Sequence, residues 1–181
     1  MKATGIVRRI DELGRVVIPK EIRRTLRIKE GDPLEIFTDR EELLFKKYSP
    51  IATLDAFASG FAAALSEISG QSAAVMDTDS VICAEGEGKK DVLNKDLSDQ
   101  ITQMMDERKS FVANRADGAE VPTLVKGEES AFSSLVFVPV VAGGDCLGGV
   151  ALYSNDEEVK FGATEIKQVQ LTALLLAKQF E

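Results

Sequence analysis

DELGRVVIPKEIRRTL, residues 11–26, is the stretch on which the reading of this chain turns. Asp11-Glu12-Leu13-Gly14 has the composition of a turn, and residues 15–18 (RVVI) form a β-type run of branched apolar side chains. Pro19 opens a short helix from Lys20 to about Arg27, since its fixed φ suits a first helical turn and its missing N–H costs nothing there. Ile22 and Leu26 share one face of that helix, and Arg23, Arg24 and Arg27 point away from it. Upstream, residues 4–10 (TGIVRRI) are a second β-type run. Downstream, residues 29–33 read as a turn, and residues 34–38 and 43–48 as the strands of a hairpin around residues 39–42.

A segment of about 50 residues with one short helix buries little surface and is marginal alone. Four strands of this length also leave edges unpaired. Strands shared between two copies remove both problems, so the head, residues 1–50, is expected to be a dimer whose fold is inseparable from its assembly.

Charge separates the head from the rest of the chain. The protein has 181 residues and a net charge of −8, with 44% apolar and 29% charged residues. Residues 1–50 hold 12 Lys+Arg against 9 Asp+Glu, whereas residues 51–181 hold 10 against 21. A basic head on an acidic body is either a phosphate-binding surface that the whole-chain balance hides or a solvated face with no partner. There is no histidine, which removes His-based acid–base chemistry, Ser/His and Cys/His nucleophile pairs and most zinc enzyme sites. Cys83 and Cys146, 63 positions apart, make neither a disulfide framework nor a zinc ribbon. No enzyme, no metal and no membrane span is expected. An N-terminus without an apolar h-region points to a cytoplasmic protein.

The stretch from TGIVRRI through DELGRVVIPKEIRRTLRIKEGDPLEIF to KKY resembles the AbrB-like transition-state regulators of spore-forming bacteria. The resemblance covers the first 50 residues or so. It implies a swapped-hairpin β-barrel built by two chains, with arginines on the dimer surface that grip DNA. Those arginines fall on Arg8, Arg15, Arg23 and Arg24; Arg9 and Lys2 are neighbouring basic candidates. The turn Asp39-Arg40-Glu41-Glu42 departs from the family in lacking an Asp-Gly pair. The resemblance also implies a nucleoid-associated regulator of sporulation whose partner is double-stranded, A·T-rich DNA. Arginine's planar fork suits phosphate oxygens and base edges. A helix too short to fill a major groove favours arginines from two chains spread over a curved surface, with recognition resting on DNA shape. The alternative is a head that only assembles or binds protein, as in the antitoxins of the wider family.

Residues 51–70 form a proline-free, alanine-rich helix in which Leu54, Ala58, Phe61, Leu65 and Ile68 make a 4-3-4-3 stripe. That spacing fits packing on its own domain and packing between chains equally. In the body, residues 71–77 and 81–84 read as strands, 97–108 as a helix, 111–114 as a strand, 132–141 and 146–154 as a hairpin around Gly143-Gly144, and 163–180 as a long helix. On the last helix Ile166, Val169, Ala173, Leu176 and Phe180 form one apolar face, and Leu171, Leu174 and Leu175 a second, free for a partner helix. An antiparallel sheet with flanking helices is an α+β domain. The order of elements, and the phrase VFVPVVAGGDCLGGVALYS (136–154), resemble a GAF domain. That resemblance implies a cavity for a small ligand, of unknown identity and lining. The doubled apolar stripe of the terminal helices points to a body that joins head dimers into a homotetramer.

Weaker patterns read as structure. Residues 86–90 (GEGKK) lack the spacing of a phosphate-binding loop and the hydroxyl after the lysine. Asp77 and Asp79 have no EF-hand continuation and read as a turn. Cys83, Cys146, Met104 and Met105 read as core.

Overall fold

The computed structural model describes residues 5–127 and 132–181, in two compact units, Met1–Tyr48 and Ser49–Glu181. The head contains α1 (Lys20–Thr25) and an antiparallel pair, β1 (Leu34–Asp39) and β2 (Glu42–Lys47). Helix α1 ends two residues before the expected Arg27. Arg27 turns left-handed (φ 51°), and the Ile28 N–H reaches back to the Arg23 carbonyl at 2.8 Å, closing the last turn. The β1–β2 hairpin turns on two residues, Arg40-Glu41, with Arg40 at φ 50° where a glycine is usual.

Residues 5–10 and 15–18, expected as strands, are not strands in this chain. Only the turn between them is formed: the Gly14 N–H donates to the Asp11 carbonyl and the Asp11 N–H to the Arg15 carbonyl, each at 3.0 Å. A β-type run becomes a strand when a ladder partner lies beside it, and among the described head residues none forms a ladder with these two runs. Among the described head residues Pro19 alone is buried. Val7 is 88% exposed and Val17 73%. The hairpin is apolar on both faces, with Leu43, Ile36 and Phe45 on one and Phe37 and Leu44 on the other, all of them exposed.

The body begins at Ser49, whose hydroxyl caps α2 (Pro50–Thr53) by accepting from the Ala52 N–H at 3.2 Å. The helix expected over residues 51–70 is broken at Leu54, and α3 (Asp55–Ser69) ends on left-handed Gly70. Then come β3 (Ser72–Met76), β4 (Val81–Glu85), α4 (Lys89–Val92), α5 (Asp99–Asp106), β5 (Phe111–Asn114), β6 (Ser134–Ala142), β7 (Asp145–Ser154) and α6 (Ala163–Ala177). Helix α6 gives way to a 3₁₀ turn, Lys178–Phe180, short of the expected helical end. The expected body strands lie within one or two residues of those observed.

The five strands form one antiparallel sheet in the order β4-β3-β7-β6-β5. Such a sheet, lined with apolar side chains on both sides, needs a cover on each. Helices α3 and α6 cover one face with Ala58, Ala62, Leu65, Val169, Ala173 and Leu176. On the other, Ile101 and Met105 of α5, with Leu97 and Leu124, pack on Met76 and Phe137. The stripe expected along residues 51–70 is corrected at its end. Ile68 is 72% exposed, and the buried face runs through residues 58, 62 and 65. The second apolar face of α6 is observed as exposed Leu171, Leu174 and Leu175.

Gly148 shows why β7 needs its glycine pair. A Cβ there would lie 2.1 Å from the Met76 carbonyl oxygen and 2.7 Å from Cδ1 of Ile51. The bare backbone lets β3 and α2 close over that end of the sheet. Among the described residues no helix is long and apolar enough to cross a membrane.

Candidate nucleic-acid interface

Three segments of the head carry the basic candidates. Arg8 and Arg9 lie on the run before the 11–15 turn, Arg15 closes that turn, and Arg23 and Arg24 lie on α1; all five are exposed. Lys2 lies outside the described residues. The side chains of Arg8, Arg9, Arg23 and Arg24 have neither hydrogen-bond nor ion-pair partners among the described residues. Arg27, half-buried at the left-handed end of α1, is set apart from them.

Arg15 differs. Asp11 Oδ1 accepts from the Arg15 backbone N–H at 2.8 Å and from the Leu13 N–H at 3.0 Å, while Oδ2 takes the Arg15 Nε at 2.7 Å. The Arg15 backbone N–H, then its guanidinium, hold the Asp11 carboxyl below its ordinary value, so Asp11 stays charged. Arg15 nonetheless keeps 70% of its side chain in solvent. Reading the sequence for turns found residues 11–14 but not this grip. The available signal was an aspartate that opens a turn closed by glycine three residues later, the setting in which an Asx side chain bonds its own backbone.

The weaker motifs resolve as local structure. The loop 86–88 is tied down by Ser72, whose hydroxyl donates to the Glu87 carbonyl at 2.9 Å, and Lys89 pairs with Glu85 at 2.8 Å. It borders a crevice of about 120 Å³ with Ser66, Gln71, Ser154 and Asn155. Asp77 accepts from the N–H groups of Asp79 and Ser80 at 2.8 and 2.7 Å, so it caps a turn. Burial pushes the thiols of Cys83 and Cys146 above their ordinary value, which leaves them protonated near neutrality. Met105 is buried and Met104 packs beside it.

Comparison with known proteins accounts for both units. The family described as stage V sporulation protein T C-terminal, transcription factor, matches residues 53–181. The family described as antidote-toxin recognition MazE, bacterial antitoxin, matches residues 7–52. Stage V sporulation protein T of Bacillus subtilis (strain 168) is 50% identical over 182 residues, spanning 100% of this chain and 99% of that protein. The transition state regulatory protein AbrB of the same organism is 64% identical over 53 residues, 29% of this chain and 55% of that protein. The GAF domain from an Acinetobacter phosphoenolpyruvate-protein phosphotransferase superposes with a TM-score of 0.56 at 12% identity, over 69% of this chain and 80% of that one. The body therefore has the GAF fold.

Proposed function

Since the chain belongs to the stage V sporulation protein T family and is a transcription regulator of sporulation rather than an enzyme, we propose that it binds double-stranded DNA through Arg8, Arg15, Arg23 and Arg24 of paired heads. Arg9 and Lys2 add positive charge beside them. The observation that carries this reading is the pairing of exposed arginines with a unit that has no core of its own. Thirteen large apolar side chains between Ile6 and Tyr48 lie exposed, and a second head covers them by supplying the ladders that residues 5–10 and 15–18 lack. Two heads then present one curved basic surface to A·T-rich DNA and read its shape and deformability. The acidic body does not compete for phosphate.

The body's part in this reading is assembly. Phe57 and Ile68 on α3, and Leu171, Leu174 and Leu175 on the adjacent α6, are exposed, and a second body buries them. Joining two head dimers into a homotetramer lets both engage one DNA, which tightens binding through effective concentration without a new contact. A small ligand in the GAF-fold body acts on DNA binding by favouring one arrangement of these helices over another. Cytoplasmic, nucleoid-associated location belongs to the same reading.

Fluorescence anisotropy on an A·T-rich duplex across a salt series tests it, comparing the native chain with Arg23→Ala/Arg24→Ala. The native chain is expected to bind with a steep log–log slope, and the folded variant weakly, with a slope shallower by about 2 per bound chain. No binding by a folded assembly at low salt would leave the head an assembly module of the antitoxin kind.

A further inference from the structure

The four arginines are not equivalent before DNA arrives. Arg8, Arg23 and Arg24 have side chains without partners among the described residues, whereas the Nε of Arg15 is bound at 2.7 Å by Asp11. Asp11 is itself fixed, because its other oxygen accepts from two backbone N–H groups of the same turn, at 3.0 and 2.8 Å. The carboxylate therefore takes the Nε of the guanidinium and leaves Nη1 and Nη2 without partners among the described residues, on a side chain that is 70% exposed. The local charges of Asp11 and Arg15 also largely cancel, so this pair attracts phosphate less than a lone arginine does. What it gains is orientation: a guanidinium whose rotamer is chosen in advance loses less freedom on docking and meets only DNA of matching geometry.

We propose that Asp11 is a positioning residue that holds Arg15 so that Arg15 discriminates between DNA sequences, while Arg8, Arg23 and Arg24 supply sequence-independent attraction. The inference rests on the DNA-binding reading above and divides the labour within it. Asp11→Asn is the informative change, because its remaining oxygen still accepts from the turn's N–H groups while the ion pair is lost.

The test uses the full chain and two duplexes of equal length and composition: one selected in vitro by the native chain, and its scrambled counterpart. Affinities are measured for the native chain, Asp11→Asn, Arg15→Ala and the double variant. In Asp11→Asn the scrambled duplex is expected to bind as tightly as before or more tightly, and the ratio of selected to scrambled affinity to fall about fivefold or more. In the Arg15→Ala background, Asp11→Asn is expected to leave the ratio unchanged. A ratio unaffected by Asp11→Asn, or lowered equally without Arg15, overturns the proposal. NMR relaxation at the arginine Nε–Hε groups of the native chain covers the case of a variant that does not fold. Arg15 is expected to be ordered and Arg8, Arg23 and Arg24 mobile; an Arg15 as mobile as the others overturns the proposal. A native chain that binds both duplexes equally well overturns it while leaving DNA binding intact. A native chain that binds neither at low salt overturns the DNA reading itself.

Discussion

Asn114, the last residue of β5, grips Phe161, 47 positions later, through both ends of its amide. Its Oδ1 accepts from the Phe161 N–H at 2.9 Å and its Nδ2 donates to the Phe161 carbonyl at 3.0 Å. Both residues are buried. The clamp fastens the segment that leads into α6 to the edge of the sheet. The same Nδ2 donates to Asp117 Oδ2 at 3.2 Å, and Asp117 Oδ1 pairs with Lys160 at 2.6 Å. Four residues thus close the entrance to α6.

Asn114→Ala leaves the buried N–H and carbonyl of Phe161 without partners, at a cost of about 2–4 kcal/mol. Urea unfolding followed by the near-UV signal of Tyr153, buried in the body, is expected to show a lower midpoint with an unchanged slope.

Acid should loosen the outer half of this network first. Hydrogen bonding to Lys160, then to Asn114, holds the Asp117 carboxyl below its ordinary value of 3.8. A group depressed in the folded state adds stability above its unfolded pKa, and that stability is lost as pH falls through the folded value, hence below about pH 4. The NMR titration of Asp117 is expected to midpoint below 3.8, and in Lys160→Ala to move up toward it.

Gly148 and Gly143 offer a matched pair. A Cβ at Gly148 collides with the Met76 carbonyl, whereas one at Gly143 meets open space at φ +59°. Gly143→Ala is expected to cost about 1 kcal/mol in backbone strain. Gly148→Ala is expected to cost about 4 kcal/mol or more, since backbone must move to admit it. Thermal unfolding of the two variants side by side measures the difference.

The exposed face of α6 predicts how assembly fails. Leu171→Glu/Leu174→Glu puts two charges where an apolar partner is expected, without touching the buried Val169, Ala173 or Leu176. Each lost leucine burial is worth about 1.5–3 kcal/mol, so the dissociation constant should rise at least a hundredfold. Sedimentation equilibrium is expected to show half the native mass with native far-UV circular dichroism. An unchanged mass would remove this face from the assembly.

How far the sequence reaches depends on the range of the interactions involved. Alternation and 3.6-residue spacing are local properties, so the order of body elements, the β1–β2 hairpin, the helix after Pro19 and both apolar faces of α6 were legible from residues alone. The arginines of the head were legible through the DELGRVVIP motif and the charge imbalance between head and body. Periodicity states that a face is apolar without stating what covers it. Residues 5–10 and 15–18 have the composition of strands and yet form none, because a strand also needs a ladder beside it, and among the described residues nothing supplies one. The stripe of residues 51–70 holds at Ala58 and Leu65, which meet the sheet together with Ala62, and fails at Ile68, which the helical spacing includes but which lies exposed next to the closing Gly70.

What the tertiary structure alone decided are contacts between a side chain and distant backbone, or between neighbouring groups whose geometry no spacing encodes. The Asn114–Phe161 clamp spans 47 residues. The closeness of Gly148 to Met76 arises only when β7 lies beside β3. The spacing of Asp11 and Gly14 signals the turn, but the pairing of Asp11 Oδ2 with the Arg15 Nε appears only in the folded turn, with Gly14 left-handed. Composition and pattern determine which elements can form and which charges a surface carries. The directions in which particular polar groups point are set by packing, because a hydrogen bond is decided over tenths of an ångström and a sequence pattern over whole residues.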